Sequence, residues 1–241
     1  SLPDFVLSPY IVNGGGTMIF GPPERMKTMT AMTWAICIDA GLTWPFSVKQ
    51  GPILYINLER PDGSMQRRLG DLNRSLGLDP DRPLLMMNAR GKSLHEVEEA
   101  VSRSVKEEGV TVGFLDSISR AGYGDLIDNR VANQTIDMMN GLFPSWVGIA
   151  HSPRNDSSHM FGSMHFEAGA DIIVQILTEY TDNNRIGVGF QVVKANDMQR
   201  PQLGALGYEF DDFGVSRIWN PEVRDFPELL AITSQRGGLT D

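Results

Sequence analysis

An apolar run, Thr17-Met18-Ile19-Phe20, follows three consecutive glycines and leads into Gly21-Pro22-Pro23-Glu24-Arg25-Met26-Lys27-Thr28. That string has the form GxxxxGK[ST], except that Met26 stands where the second glycine belongs. A loop of this kind works because successive backbone N–H groups and a helix N-terminus point at phosphates. Lys27 then reaches the β and γ phosphates, and the Thr28 hydroxyl binds magnesium. With Met29 in the first helical turn, the residues Gly21, Pro22, Pro23, Glu24, Arg25, Met26, Lys27, Thr28 and Met29 form the candidate cofactor site, for ATP with Mg2+. Met26 is expected to crowd the loop and to resist the positive backbone angle that glycine adopts freely, which would weaken nucleotide binding. The rival reading is a plain strand-to-helix turn carrying a surface lysine.

Three further strand ends carry polar residues of matching chemistry. Val112-Gly113-Phe114-Leu115-Asp116 is an apolar run ending in a carboxylate, which beside a phosphate loop holds magnesium through water. Asp116 therefore joins Thr28 as a metal candidate; a helix cap or turn former is its alternative. Leu54-Tyr55-Ile56-Asn57-Leu58-Glu59 ends in a carboxylate able to orient and deprotonate an attacking water, the alternative being a solvated charge paired with Arg60. Trp146-Val147-Gly148-Ile149-Ala150-His151 ends in an imidazole that could sense a γ phosphate or be an ordinary rim histidine. Glu59, Lys27 and His151 are thus the candidate catalytic residues.

The elements needed to bring these residues together are legible as a rhythm. Strand-like runs at 17–20, 53–58, 84–88, 111–116 and 146–150 alternate with helical patterns at 28–40, 63–76, 93–108 and 125–142. Strand, helix, strand at this spacing predicts an α/β fold with a mostly parallel sheet covered on both faces, and the near-continuous apolar strands fit burial on both sides. In an open parallel sheet the C-terminal strand ends line the ligand crevice, so Glu59, Asp116, His151 and Lys27 would share one site. After residue 170 the helices stop, and strands are predicted at 171–180, 185–195, 207–210 and 215–219. The Thr181-Asp182-Asn183-Asn184 cluster makes the first of these connections a hairpin, so the sheet should finish in an antiparallel edge.

Composition bounds the rest. The chain has 241 residues, 41% hydrophobic and 21% charged, enough for one large core and too little charge for disorder. A single domain is expected over 1–241, with a core at about 8–219 and an extension at 220–241. Its 21 basic and 30 acidic groups give a net charge of −9, which argues against a surface that coats nucleic acid or anionic membrane; any nucleic-acid contact must be local. One cysteine excludes an intramolecular disulfide, and four scattered histidines exclude a zinc cluster of the usual spacing. With no run of about 18 apolar residues and no basic, hydrophobic leader, no membrane partner and a cytoplasmic location are expected.

Taken in order, the phosphate loop, the strand Gln50 to Glu59, the stretch Phe114-Leu115-Asp116-Ser117-Ile118-Ser119-Arg120-Ala121, the region around His151 and the segment from Gly162-Ser163 to Ala170-Asp171 resemble RecA-like P-loop ATPases, and within them the RepA-type replicative helicases of plasmids and phages. The resemblance spans about residues 8–219. It implies a RecA-like core, ATP and Mg2+, Glu59 as catalytic carboxylate, Asp116 as the magnesium-holding acid, and a homo-oligomer, either a hexameric ring or a filament, with ATP at subunit interfaces. A bulky residue before the lysine is familiar in the phage-type relatives. The chain departs from such proteins at Phe161-Gly162-Ser163-Met164, where many carry Arg-Gly-Ser-Ser, so the arginine that would reach a neighbour's site is absent there. Lys194 and Arg200, at the end of a later strand and in the turn after it, are the candidates for a charge supplied in trans. The loops 119–133 and 152–165 would face a channel holding single-stranded DNA, with Arg120, Arg130 and Arg154 as candidate contacts. The function implied is an ATP-hydrolysing motor in DNA replication or recombination. Its rivals are a recombination mediator without unwinding and a regulatory nucleotide-binding subunit slowed by Met26.

Overall fold

A computed structural model describes residues 3–24, 26–122, 129–152, 158, 160, 164–181 and 183–235. The strands are β1 (Phe5–Ser8), β2 (Ile11–Val12), β3 (Gly16–Gly21), β4 (Ser47–Val48), β5 (Ile53–Asn57), β6 (Met86–Asn88), β7 (Val112–Asp116), β8 (Ser145–His151), β9 (Ile172–Thr181), β10 (Arg185–Ala195), β11 (Gly204–Phe210) and β12 (Val215–Trp219). The helices are α1 (Lys27–Ala40), α2 (Asp62–Ser75), α3 (Leu94–Glu108), α4 (Asn129–Leu142), α5 (Met164–Gly169) and α6 (Pro227–Gln235).

Among the described residues, nine strands form one sheet in the order β12-β11-β10-β9-β3-β8-β7-β5-β6. The pairs β3–β8, β7–β8, β5–β7, β5–β6 and β3–β9 are parallel, and β9–β10, β10–β11 and β11–β12 are antiparallel. The expected parallel sheet with an antiparallel C-terminal edge is the one observed. Central strands β3, β5 and β7 are buried at every position, as their unbroken apolar runs require once helices cover both faces.

One apolar cluster gathers α1, α2 and the hairpin strands on one face of the sheet, and a second gathers α3 and α4 on the other. Helix α1 is buried from Lys27 to Ile38 because a small sheet, β2-β1-β4, lies beyond it and covers the side a surface helix would leave wet. Tyr10 stacks on Trp34 at 5.1 Å in that layer, with Phe46 and Phe190 packed edge-on around them. Helix α3 starts in a capping box, the Ser93 hydroxyl accepting from Glu96 N and the Glu96 carboxylate accepting from Ser93 N.

The described part of the C-terminal extension packs on the sheet. Phe226, Leu229 and Leu230 are buried against β9 and β10, where a Cβ on Gly187 would sit 2.5 Å from Phe226 and one on Gly189 2.8 Å from Leu229. Leu229 N donates to Glu179 Oε2 at 2.7 Å, tying the helix start to β9.

Candidate functional site

The phosphate loop turns out of β3 through two left-handed residues, Glu24 (φ 60°) and Met26 (φ 62°, ψ 12°). Met26 thus adopts the glycine-like angle it was expected to resist. Its side chain packs against the core cluster beneath α1, so burial of apolar surface offsets the backbone cost of about 1–2 kcal/mol. Arg25 lies outside the described residues.

Lys27 and Thr28 open α1 and are buried, with 4% and 6% of their surface exposed. Lys27 Nζ donates to Pro22 O, folding the side chain back over the loop. Burial pulls its ammonium down to about 8, partly opposed by Asp116 and Glu59. The Thr28 hydroxyl donates to Asp116 Oδ2 at 2.9 Å, although the two are 88 positions apart in sequence. Tyr55 OH donates to the same oxygen at 3.0 Å, and its ring stacks on Phe114. Burial pushes the Asp116 carboxyl up, against the two hydrogen bonds that favour its charged form.

Register explains the convergence. Gly21 pairs with His151 across β3 and β8, and Asn57 pairs with Asp116 across β5 and β7, so the carboxyl ends of these strands reach one rim. Glu59 lies just beyond β5, and His151 Nε2 approaches its Oε2 to 3.9 Å. The neighbouring His151 leads the causes that hold the Glu59 carboxyl down at about 2; burial works against it and nearby Ser117 assists. His151 Nδ1 is buried with no hydrogen-bond partner among the described residues.

Asn57, which the sequence reading assigned no role, fixes the turn that carries Glu59. Its Oδ1 accepts from Glu59 N at 3.2 Å and Arg60 N at 2.9 Å, while its Nδ2 donates to Arg60 O at 2.8 Å and Asn88 Oδ1 at 2.9 Å. An asparagine closing an otherwise apolar strand was the available signal, since a fully buried amide must find partners. Tyr55 was hidden for a similar reason: it reads as one more apolar residue of β5.

A cavity of about 840 Å3 joins these groups. Met26, Lys27, Thr28 and Met29 line it beside Glu59, Asp116 and His151. Three arginines that no motif singled out as site residues, Arg60, Arg67 and Arg68, face the same space, and Arg60 Nε lies 3.4 Å from Thr28 Oγ1. Tyr180, Ile186 and Phe210 from the antiparallel strands, and Phe213 from the turn after β11, also line it. A second cavity of about 380 Å3 adjoins Glu59 and is lined by Arg90, Lys92 and Arg120.

The remaining candidates are scattered. Lys194 was expected to reach toward a neighbour. Its Nζ donates instead to the carbonyls of Glu167 (2.8 Å), Ala168 (3.3 Å) and Ala170 (2.6 Å), so its three protons satisfy the C-terminal end of α5. Arg200 is exposed beyond β10. Arg120 is exposed at the end of a 3-10 turn, Arg130 lies in the first turn of α4, and Arg154 lies outside the described residues. No group of three or more His, Cys, Asp or Glu that could hold a metal exists among the described residues, so a cation here would need the nucleotide as co-ligand. No described helix is long and apolar enough to cross a membrane.

A family model described as AAA domain matches residues 3–143, more than half of the chain and the whole stretch from β1 through α4. The chain belongs to this family of nucleotide-binding P-loop ATPases. No curated protein sequence matches it.

Proposed function

We propose that this AAA-domain chain is an ATP-hydrolysing motor acting on single-stranded DNA in replication or recombination, of the RepA helicase type. One observation carries the hydrolytic part: Thr28 and Asp116 meet at 2.9 Å inside a cavity that also holds Lys27 and Glu59. A hydroxyl beside a buried carboxylate is a hard-oxygen donor set of the kind Mg2+ takes with phosphate and water, and a cation there would offset the burial that disfavours the ionised form of Asp116. Thr28 and Asp116 would hold that ion, which would supply positive charge against the phosphates.

Lys27 binds the β and γ phosphates, and its depressed proton affinity is restored by the anion it meets. Glu59, ionised at any physiological pH, accepts a hydrogen bond from the attacking water and aligns it with the γ phosphate. Asn57 holds Glu59 at that distance. His151, placed against Glu59, registers whether the γ phosphate is present. Single-stranded DNA would contact Arg120 and Arg130, and Arg90 and Lys92 extend that basic surface to the edge of the catalytic carboxylate. Subunits would assemble as a ring or filament, with Arg200 the remaining candidate for a charge lent to a neighbour.

Phosphate release from ATP and Mg2+, measured with and without single-stranded DNA and followed by strand displacement on a forked duplex, tests the reading. DNA-stimulated hydrolysis with ATP-dependent displacement is expected. Hydrolysis without displacement would favour the mediator, and tight ATP binding without turnover the regulatory subunit.

A further inference from the structure

The acids that line the phosphate cavity are already engaged. Asp116 accepts from Thr28 and Tyr55, Asp71 pairs with Arg74 at 3.2 Å, Glu59 faces His151, and Glu24 is exposed in the loop. None lies within ion-pair distance of Arg60, Arg67 or Arg68 among the described residues. Three guanidinium groups therefore face one cavity without a direct carboxylate partner among the described residues, Asp116 attracting Arg60 and Arg68 only from beyond ion-pair distance.

Arg60 follows Glu59 directly, and its Nε lies 3.4 Å from the hydroxyl of Thr28, which opens α1 at the end of the phosphate loop. Arg68 is one helical turn beyond Ser64 on α2 and is only partly exposed, whereas Arg67 beside it is exposed. Position 68 is three residues from buried Met65 and four from buried Leu72, so it flanks the apolar stripe that seats α2 on the sheet. Burial and the like charge of Arg60 work against the Arg68 guanidinium, Asp116 opposes them, and a bound anion would offset the remaining cost.

We propose that Arg60 and Arg68 are a built-in cation pair for the γ phosphate of a bound nucleoside triphosphate, supplied by the same chain that carries the phosphate loop. The proposal rests on the ATPase reading and refines it. Much of the positive charge that many P-loop enzymes borrow from a neighbour is already present in cis. The pair distinguishes triphosphate from diphosphate, because the loop N–H groups serve the phosphates both share and Lys27 reaches the second and the third, while Arg60 and Arg68 meet only the third.

The test compares the affinity of wild type, Arg60→Ala, Arg68→Ala and Arg68→Lys for ADP and for a non-hydrolysable triphosphate analogue, each with Mg2+, by calorimetry. Losing one charge-assisted contact should weaken the analogue about 10- to 100-fold and ADP less than about threefold, with Arg68→Lys recovering part of the loss. Thermal unfolding confirms that each variant is folded; should Arg68→Ala not fold, Arg60→Ala and Arg68→Lys carry the same comparison. Equal weakening of both nucleotides, or weakening of neither, overturns the cation pair and leaves the ATPase reading standing. A wild-type chain that binds neither nucleotide overturns both.

Discussion

The parallel and antiparallel halves of the sheet are built from similar apolar strands, yet they treat their polar ends in opposite ways. In the parallel half, crossover helices return the chain so that β3, β5, β7 and β8 all finish at one rim, and Lys27, Glu59, Asp116 and His151 gather there. In the antiparallel half, hairpins reverse the chain every few residues, so successive strands end at opposite edges. The polar group closing β10 is spent on structure, with Lys194 capping α5. What this half gives the cavity is apolar surface, Tyr180, Ile186, Phe210 and Phe213. Topology thus decides which strand-end polar residues can act together, and residue type alone does not.

The largest effect that would sharpen this contrast is expected at Glu59. Glu59→Gln keeps shape and hydrogen bonding but loses the charge that aligns water, so ATP binding should persist while phosphate release falls by about 10²- to 10⁴-fold. A rate within threefold of wild type would reduce Glu59 to a strand-end charge and pass the water to another group.

Lys194→Ala probes the other half. Removing three hydrogen bonds to helix-end carbonyls should cost about 2 kcal/mol, or about 4–8 °C in Tm, with hydrolysis per folded site retained. Were hydrolysis abolished with Tm unchanged, Lys194 would be serving a neighbour's nucleotide, and the division between halves would fail.

A smaller effect concerns pH. Folding lowers the Lys27 ammonium to about 8, so the free protein loses that charge at lower pH than the unfolded chain does. The unfolded state then binds more protons, and stability of the nucleotide-free protein should rise as pH passes from 8 toward 10. Nucleotide affinity should move the opposite way over the same window, with proton uptake on binding visible in buffers of different ionisation heat. Affinity that stays flat through pH 8 to 10 would place the binding charge elsewhere.

These contrasts also mark what sequence could reveal. The phosphate loop, the carboxylates at strand ends and the change from crossovers to hairpins were legible because each is a local pattern with a period or a spacing. The small sheet β2-β1-β4 was not, since strands of two to four residues carry too little alternation to read. The docking of α6 depends on Gly187 and Gly189 making room on a strand 40 residues earlier, which no local window reports. Arg68 looked like any polar residue of an amphipathic helix, and only its place beside the Met65 and Leu72 stripe turns it toward the cavity. At Met26 the converse holds: its backbone cost is local and legible, while the packing that offsets it is tertiary.

The central claim is that the parallel half forms a nucleotide site around Lys27, and it is tested most directly by the affinity of folded Lys27→Ala protein for ATP with Mg2+. The lysine serves phosphates and its buried charge opposes folding, so the variant should unfold no lower than wild type while binding falls by at least about 100-fold. A folded Lys27→Ala protein that binds and hydrolyses ATP as wild type does would contradict the account.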